Sequence, residues 1–228
     1  MDLFSAIGYQ TVRPSETKST VPVQMKLIIH IGPPKTGTTA LQRALFNERK
    51  ALLEHKVLYP DPKARRAYNH GNLCYLFRPF SEAPRGMKKK GETHYIKQGK
   101  ALRREVEKQT KEARPDVLIL SSEWFARAYQ AANTEEFVAF AEGLGASSIE
   151  FVLYARRPSE FFLSASQQRL RASSIFQPIY PWNVNGLIEG FRALAGQHKV
   201  TALSFDRNAL TDGNIVADFA TRYIPSCV

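Results

Sequence analysis

Leu27-Ile28-Ile29-His30-Ile31-Gly32-Pro33-Pro34-Lys35-Thr36-Gly37-Thr38-Thr39-Ala40-Leu41-Gln42 passes from an apolar run through a tight loop directly into a helical pattern, and this order decides the fold. An unbroken apolar run predicts a strand buried on both faces, the habit of parallel sheets covered by helices. Where the helix begins, its first amide N–H groups lack intrahelical partners and the macrodipole is positive. Backbone, hydroxyls and an ammonium can therefore converge there on one anionic group. Gly32 and Gly37 permit the sharp turn and the close approach of backbone to a ligand.

Outward from this stretch, strands alternate with helices. The loop helix is expected from about Thr38 to Glu54, with Ala40, Leu41, Ala44, Leu45, Leu52 and Leu53 as its apolar stripe. Residues 55–95 read as loops with a short helix near Leu73 to Phe77, and a charged helix follows from about Ile96 to Ala113. Val117 to Leu120, Ile149 to Ala155 and Val200 to Phe205 read as further strands. Helices are expected at about Thr134 to Leu144 with Asn133 as cap, Ser159 to Arg171 after Pro158, Val184 to Leu194 and Ile215 to Tyr223, with a turn-rich stretch around Pro178, Pro181 and Trp182. The alternation predicts a single three-layer α/β domain with a mostly parallel central sheet over residues 25–228, preceded by a flexible arm at 1–24.

At 228 residues the chain can bury a substantial core without staples, and its two cysteines, Cys74 and Cys227, lie too far apart to form a framework. That usage suits a reducing compartment. No run approaches the roughly 20 apolar residues of a spanning helix, and no charged-then-apolar leader opens the chain, so a cytoplasmic protein without a transmembrane segment is expected. Thirty-two Lys and Arg against 21 Asp and Glu leave a net charge of +11, which draws in polyanions. Much of that charge could serve anionic ligands, a nucleotide and an acidic acceptor such as a polysaccharide among them. Nucleic acid is not an expected partner, because the basic residues do not interleave with aromatics in any strand-reading motif. The most basic tract, Arg85 to Gly91, is either a solvated loop or part of an acidic-acceptor site.

The position of the lysine narrows the anion. A nucleoside-triphosphate loop places it directly after the second glycine, where this chain has Thr38. Lys35 instead projects from inside the loop. The segment Pro34-Lys35-Thr36-Gly37-Thr38-Thr39 resembles the 5′-phosphosulfate loop of sulfotransferases that use 3′-phosphoadenosine 5′-phosphosulfate (PAPS). A second segment extends the resemblance: in that family an arginine at a strand end is followed by proline and, eight residues on, by serine, as Arg156, Pro158 and Ser164 are here. The resemblance implies that Arg156 and Ser164 bind the 3′-phosphate, while Lys35, Thr36, Gly37, Thr38 and Thr39 hold the 5′-phosphate. Arg157 stands where the family usually has aspartate. The family also commonly carries a further segment beyond the last helix read here, so the resemblance implies a looser hold on PAPS.

What the resemblance implies chemically is in-line transfer of a sulfuryl group to an acceptor hydroxyl or amine, of a carbohydrate or glycolipid, without a metal. Charge grows on the oxygen bridging to the leaving phosphate, where a fixed cation lowers the barrier, and Lys35 is the residue for it. Glu123, at the end of the second strand, is the leading candidate for the base that takes the acceptor's proton; capping the next helix or pairing with a nearby arginine is its alternative. His70, in Tyr68-Asn69-His70-Gly71-Asn72, is the competing base and acceptor-binding residue, since imidazole titrates nearest neutrality, although a loop histidine can equally serve a local hydrogen bond. His30, inside the first strand, reads as structural. In open α/β sheets ligands gather at the carboxyl ends of the strands, so Lys35, Glu123 and Arg156 should face one cleft. A nucleotide kinase or NTPase, and a nucleotide- or polyanion-binding module without turnover, are the rival functions.

Overall fold

The computed structural model describes residues 24–63, 68–130, 134–172 and 183–224. Of the arm expected over residues 1–24 only Gln24 is described; the cap at Asn133, the turn-rich stretch at 173–182 and Cys227 lie outside the described residues.

β1 (Lys26–Ile31) is the middle strand of a five-stranded, all-parallel sheet of order β2-β3-β1-β4-β5, with β2 at Val57–Leu58, β3 at Val117–Ser122, β4 at Ser148–Ala155 and β5 at Lys199–Ser204. Its register sets Lys26 opposite Val117 on one side and Ser148 on the other. Alternate β1 residues feed two cores. Leu27, Ile29 and Ile31 pack with Phe125, Phe137, Phe151 and Phe191, whereas Ile28 packs with Leu41, Leu45, Tyr154 and Phe219. Both faces are thus sealed, which accounts for the unbroken apolar run; each such buried side chain contributes roughly 1.5–3 kcal/mol. α1 (Thr38–Asn47), α2 (Arg49–Glu54) and α8 (Ile215–Tyr223) cover one face; α4 (Glu92–Ala113), α5 (Thr134–Gly143) and α7 (Val184–Ala195) cover the other. The three-layer α/β domain is as the sequence predicts, and no helix among the described residues is long and apolar enough to cross a membrane.

Three local expectations change. The single helix expected over 38–54 is two, broken where Glu48 takes φ −88° and ψ 3°. There the Arg49 guanidinium donates to the Phe46 carbonyl at 2.7 Å and lies 4.0 Å from the Phe46 ring, closing α1. Leu53 consequently turns outward, 40% exposed, while Leu52 stays in the core. Residues 55–95, read as loops with a short helix near Leu73 to Phe77, do hold a helical turn there, a 3₁₀ helix at Gly71–Leu76, and add β2, a second 3₁₀ turn at Phe80–Glu82 and α3 (Arg85–Lys88). α4 starts at Glu92 rather than Ile96, directly after Gly91 at φ 86°. It packs on the 71–76 turn through Gly99, where an added Cβ would lie 3.0 Å from Leu76 Cγ and 3.2 Å from the Asn72 carbonyl. Finally, α6 (Pro158–Ala172) buries no residue and lies along the carboxyl edge of the sheet.

Candidate functional site

The loop from Gly32 to Gly37 is held tight from within. Gly32 N–H donates to the Ser122 carbonyl at 3.2 Å, and a Cβ at Gly32 would fall 2.4 Å from Thr38 Cγ2, so only glycine lets α1 begin so close to β1. The Thr36 hydroxyl donates to the Pro33 carbonyl at 2.7 Å, and that of Thr38 lies 3.3 Å from it. Both threonines are buried, so these hydroxyls brace the loop instead of facing outward; Thr39 is exposed. Lys35 (φ 66°) and Gly37 (φ 72°) are both left-handed, and Gly37 caps α1 with no side-chain hydrogen bond; its carbonyl takes the Ala40 amide at 2.9 Å, so the amides of Thr38 and Thr39 are the first-turn donors left for whatever approaches.

The strand order brings the expected charges to this mouth. Lys35 Nζ donates to Gln168 Oε1 of α6 at 3.1 Å. An Arg156 terminal nitrogen donates to the Lys35 carbonyl at 3.1 Å, its Nε faces Glu160 Oε2 at 3.4 Å, and its guanidinium carbon lies 5.4 Å from the Phe205 ring centre. Glu160, Ser164 and Gln168 recur every four residues along α6, so Ser164 lies in the row whose ends meet Arg156 and Lys35. Arg157 pairs with Asp206 at 3.1 Å and ties the end of β4 to the end of β5. Glu123 directly follows β3. Partial burial pushes its carboxyl above the ordinary glutamate value, and the nearby Lys35 ammonium offsets part of that rise.

His70 is placed otherwise than a proton acceptor for a substrate requires. It is fully buried; Nδ1 accepts from the Ser121 amide at 3.1 Å, so Nε2 carries the proton and donates to the Pro60 carbonyl at 2.9 Å. Burial lowers its pKa to about 4, against the pull of both backbone bonds. It pins the segment after β2 to β3. Beneath the loop, His30 Nδ1 meets Ser121 Oγ at 2.8 Å and Gln42 Nε2 donates to that same oxygen at 3.1 Å. This belt links β1, α1 and β3. His30 is structural, as its place in the strand suggests, and burial lowers its pKa to about 3.

Beside the loop opens a cleft of about 670 Å³ lined by Gly37, Arg156, Glu160, Phe205, Asp206 and Ile215, among others. Phe205 and Ile215 crowd Gly37: a Cβ there would lie 3.0 Å from each. Sequence reasoning took Phe205 as the end of a strand and missed it as a wall of the cleft. It also missed Gln168. The rule that ligands gather at carboxyl ends reaches Phe205, and the four-residue helical step from Ser164 reaches Gln168. The cleft and loop together offer backbone amides, an ammonium and a guanidinium beside an aromatic ring, a set that can meet an anionic ligand. Among the described residues no cluster of His, Cys, Asp or Glu gathers as a metal would need. A scan against protein-family models and a search of curated proteins return no match.

Proposed function

We propose that the chain is a PAPS-dependent sulfotransferase, transferring the sulfuryl group to an acceptor hydroxyl or amine. One observation carries this: Lys35 inside the loop, Glu123 after β3 and Arg156 after β4 share the carboxyl edge of the sheet, with the lysine ahead of Gly37 and not behind it. The acceptor oxygen attacks sulfur while the bond from sulfur to the 5′-phosphate oxygen breaks. The acceptor's proton passes to Glu123, and the electron pair of the broken bond stays on the phosphate oxygen, where Lys35 and the α1 amides meet the growing charge. Arg156 meets the 3′-phosphate, releasing Glu160, which is half-exposed and can turn to water. A purine in the cleft would lie against Phe205. The buried free thiol of Cys74 suits a reducing, cytoplasmic setting.

Calorimetry against 3′-phosphoadenosine 5′-phosphate and against ATP with magnesium tests the donor, and transfer from labelled PAPS to a panel of glycans, glycolipids and amines tests the reaction. Binding of the bisphosphate in preference to ATP, with label on an acceptor, is expected. Preference for ATP overturns the proposal in favour of a kinase, and binding without any transfer reduces it to a nucleotide-binding module.

A further inference from the structure

α4 connects β2 to β3 and ends where β3 begins, so its first half lies at the carboxyl edge of the sheet, on the same side as Glu123. Two cavities adjoin there, of about 400 Å³ and 420 Å³, and Glu92, Ile96 and Lys100 line both. Trp124, one residue past Glu123, is 38% exposed and adjoins the first cavity only through Arg78. The guanidinium of Arg78 backs its ring at 5.0 Å; Arg78 is itself buried, donates from Nε to Glu82 at 3.2 Å and lines the first cavity. The indole is thus braced on one face. In the second cavity, Lys97, Lys100 and Arg104 follow the i, i+3, i+7 spacing of one helical face and enter no ion pair among the described residues, whereas Arg103 is paired with Glu107. They span about 10 Å of helix axis. Glu92 and Glu136 also line the first cavity, and the cations outnumber them along the groove.

We propose that this groove is the acceptor subsite and takes an acidic polysaccharide chain. Trp124 stacks the sugar ring nearest Glu123, and Lys97, Lys100 and Arg104 meet carboxylates or sulfates on successive residues. The inference rests on the sulfotransferase reading, which supplies the need for an acceptor hydroxyl beside Glu123. A glycan is favoured over single-stranded nucleic acid because sequence-tolerant stacking of bases takes a series of open rings. Along this groove Tyr75 and Tyr95 are stacked on each other at 4.2 Å and Trp124 is the aromatic left exposed.

Calorimetry with a hyaluronan oligosaccharide, a neutral chitin oligosaccharide and a single-stranded DNA oligonucleotide, all without donor, tests the groove. Salt-dependent binding of hyaluronan is expected, weakened about tenfold or more by K97A/K100A/R104A and by W124A. Each altered side chain is exposed, and melting curves verify that the variants fold. Equal binding of chitin, tighter binding of DNA, or hyaluronan binding indifferent to these substitutions overturns the proposal. Failure of the donor reading is separate: it appears as loss of bisphosphate binding with the glycan still held.

Discussion

Single side chains at the mouth of the loop divide, on the proposed reaction, into those that would meet reacting groups and those that hold the frame. On the proposed reaction Lys35→Ala removes the cation at the leaving oxygen and should lower kcat by about 100-fold or more, as loss of one preorganised donor does, with the melting temperature hardly moved because the ammonium lies at an exposed position. Glu123→Gln should flatten the pH profile. A base with a raised pKa gives a rate that climbs with pH through a limb above the ordinary glutamate range, and the amide has no such limb. His70→Ala should do the reverse. Leaving the buried Ser121 amide and Pro60 carbonyl unpaired costs about 2–4 kcal/mol, seen in denaturant titration, while the pH limb persists. A lost limb in His70→Ala with stability intact would restore the histidine as base. The sequence placed Lys35, Glu123 and Arg156 correctly at strand ends because strand ends are written in apolar runs. It could not tell a buried loop histidine from an exposed one, since Tyr59, Pro60 and Ser121, which enclose His70, come from other parts of the chain.

At the scale of elements, the strand-loop-helix unit stands on the near contact of β1 with α1. Gly32→Ala should force α1 away from β1, because the new methyl would overlap Thr38; stability should drop by about 1–3 kcal/mol and bisphosphate affinity should fall with it, both readable by calorimetry. Unchanged affinity would show that the amides are not the phosphate's partners. Long elements were legible: the apolar runs of β1, β3 and β4 and the period of α8, whose start Asn214 caps by accepting from the Val216 amide at 2.8 Å. Short ones were not. β2 is two residues at a sheet edge, and the break at Glu48 depends on an arginine reaching back to a carbonyl, neither of which leaves a periodic trace.

Across the whole molecule, buried titratable groups tie the fold to pH. His30 and His70 are neutral inside, with pKa values lowered to about 3 and about 4 from 6.5. A depressed histidine lends its full stability above 6.5 and loses it as pH falls, because the unfolded chain binds the proton first. Glu150 adds a lower window: burial opposes its charge, but hydrogen bonds from Lys26, Thr201 and Lys199 hold it down to about 2, so its contribution fades from 4.5 downward. Denaturant titrations at pH 7 and pH 5 should differ by about 3 kcal/mol, against the acid side. Equal stabilities would mean that the histidines open to solvent.

The central place of β1 also governs how the protein is made. β1 precedes both of the strands it lies between, and the contacts that join them span long stretches of chain: His30 meets Ser121 across 91 positions, and Met25 meets Ser147 across 122. Until both have emerged, the apolar run of β1 lacks a partner strand on one side or both. Contacts of such separation slow folding, and a product terminated before β4 would leave β1 without its partner on one side, however faithfully its early codons were translated.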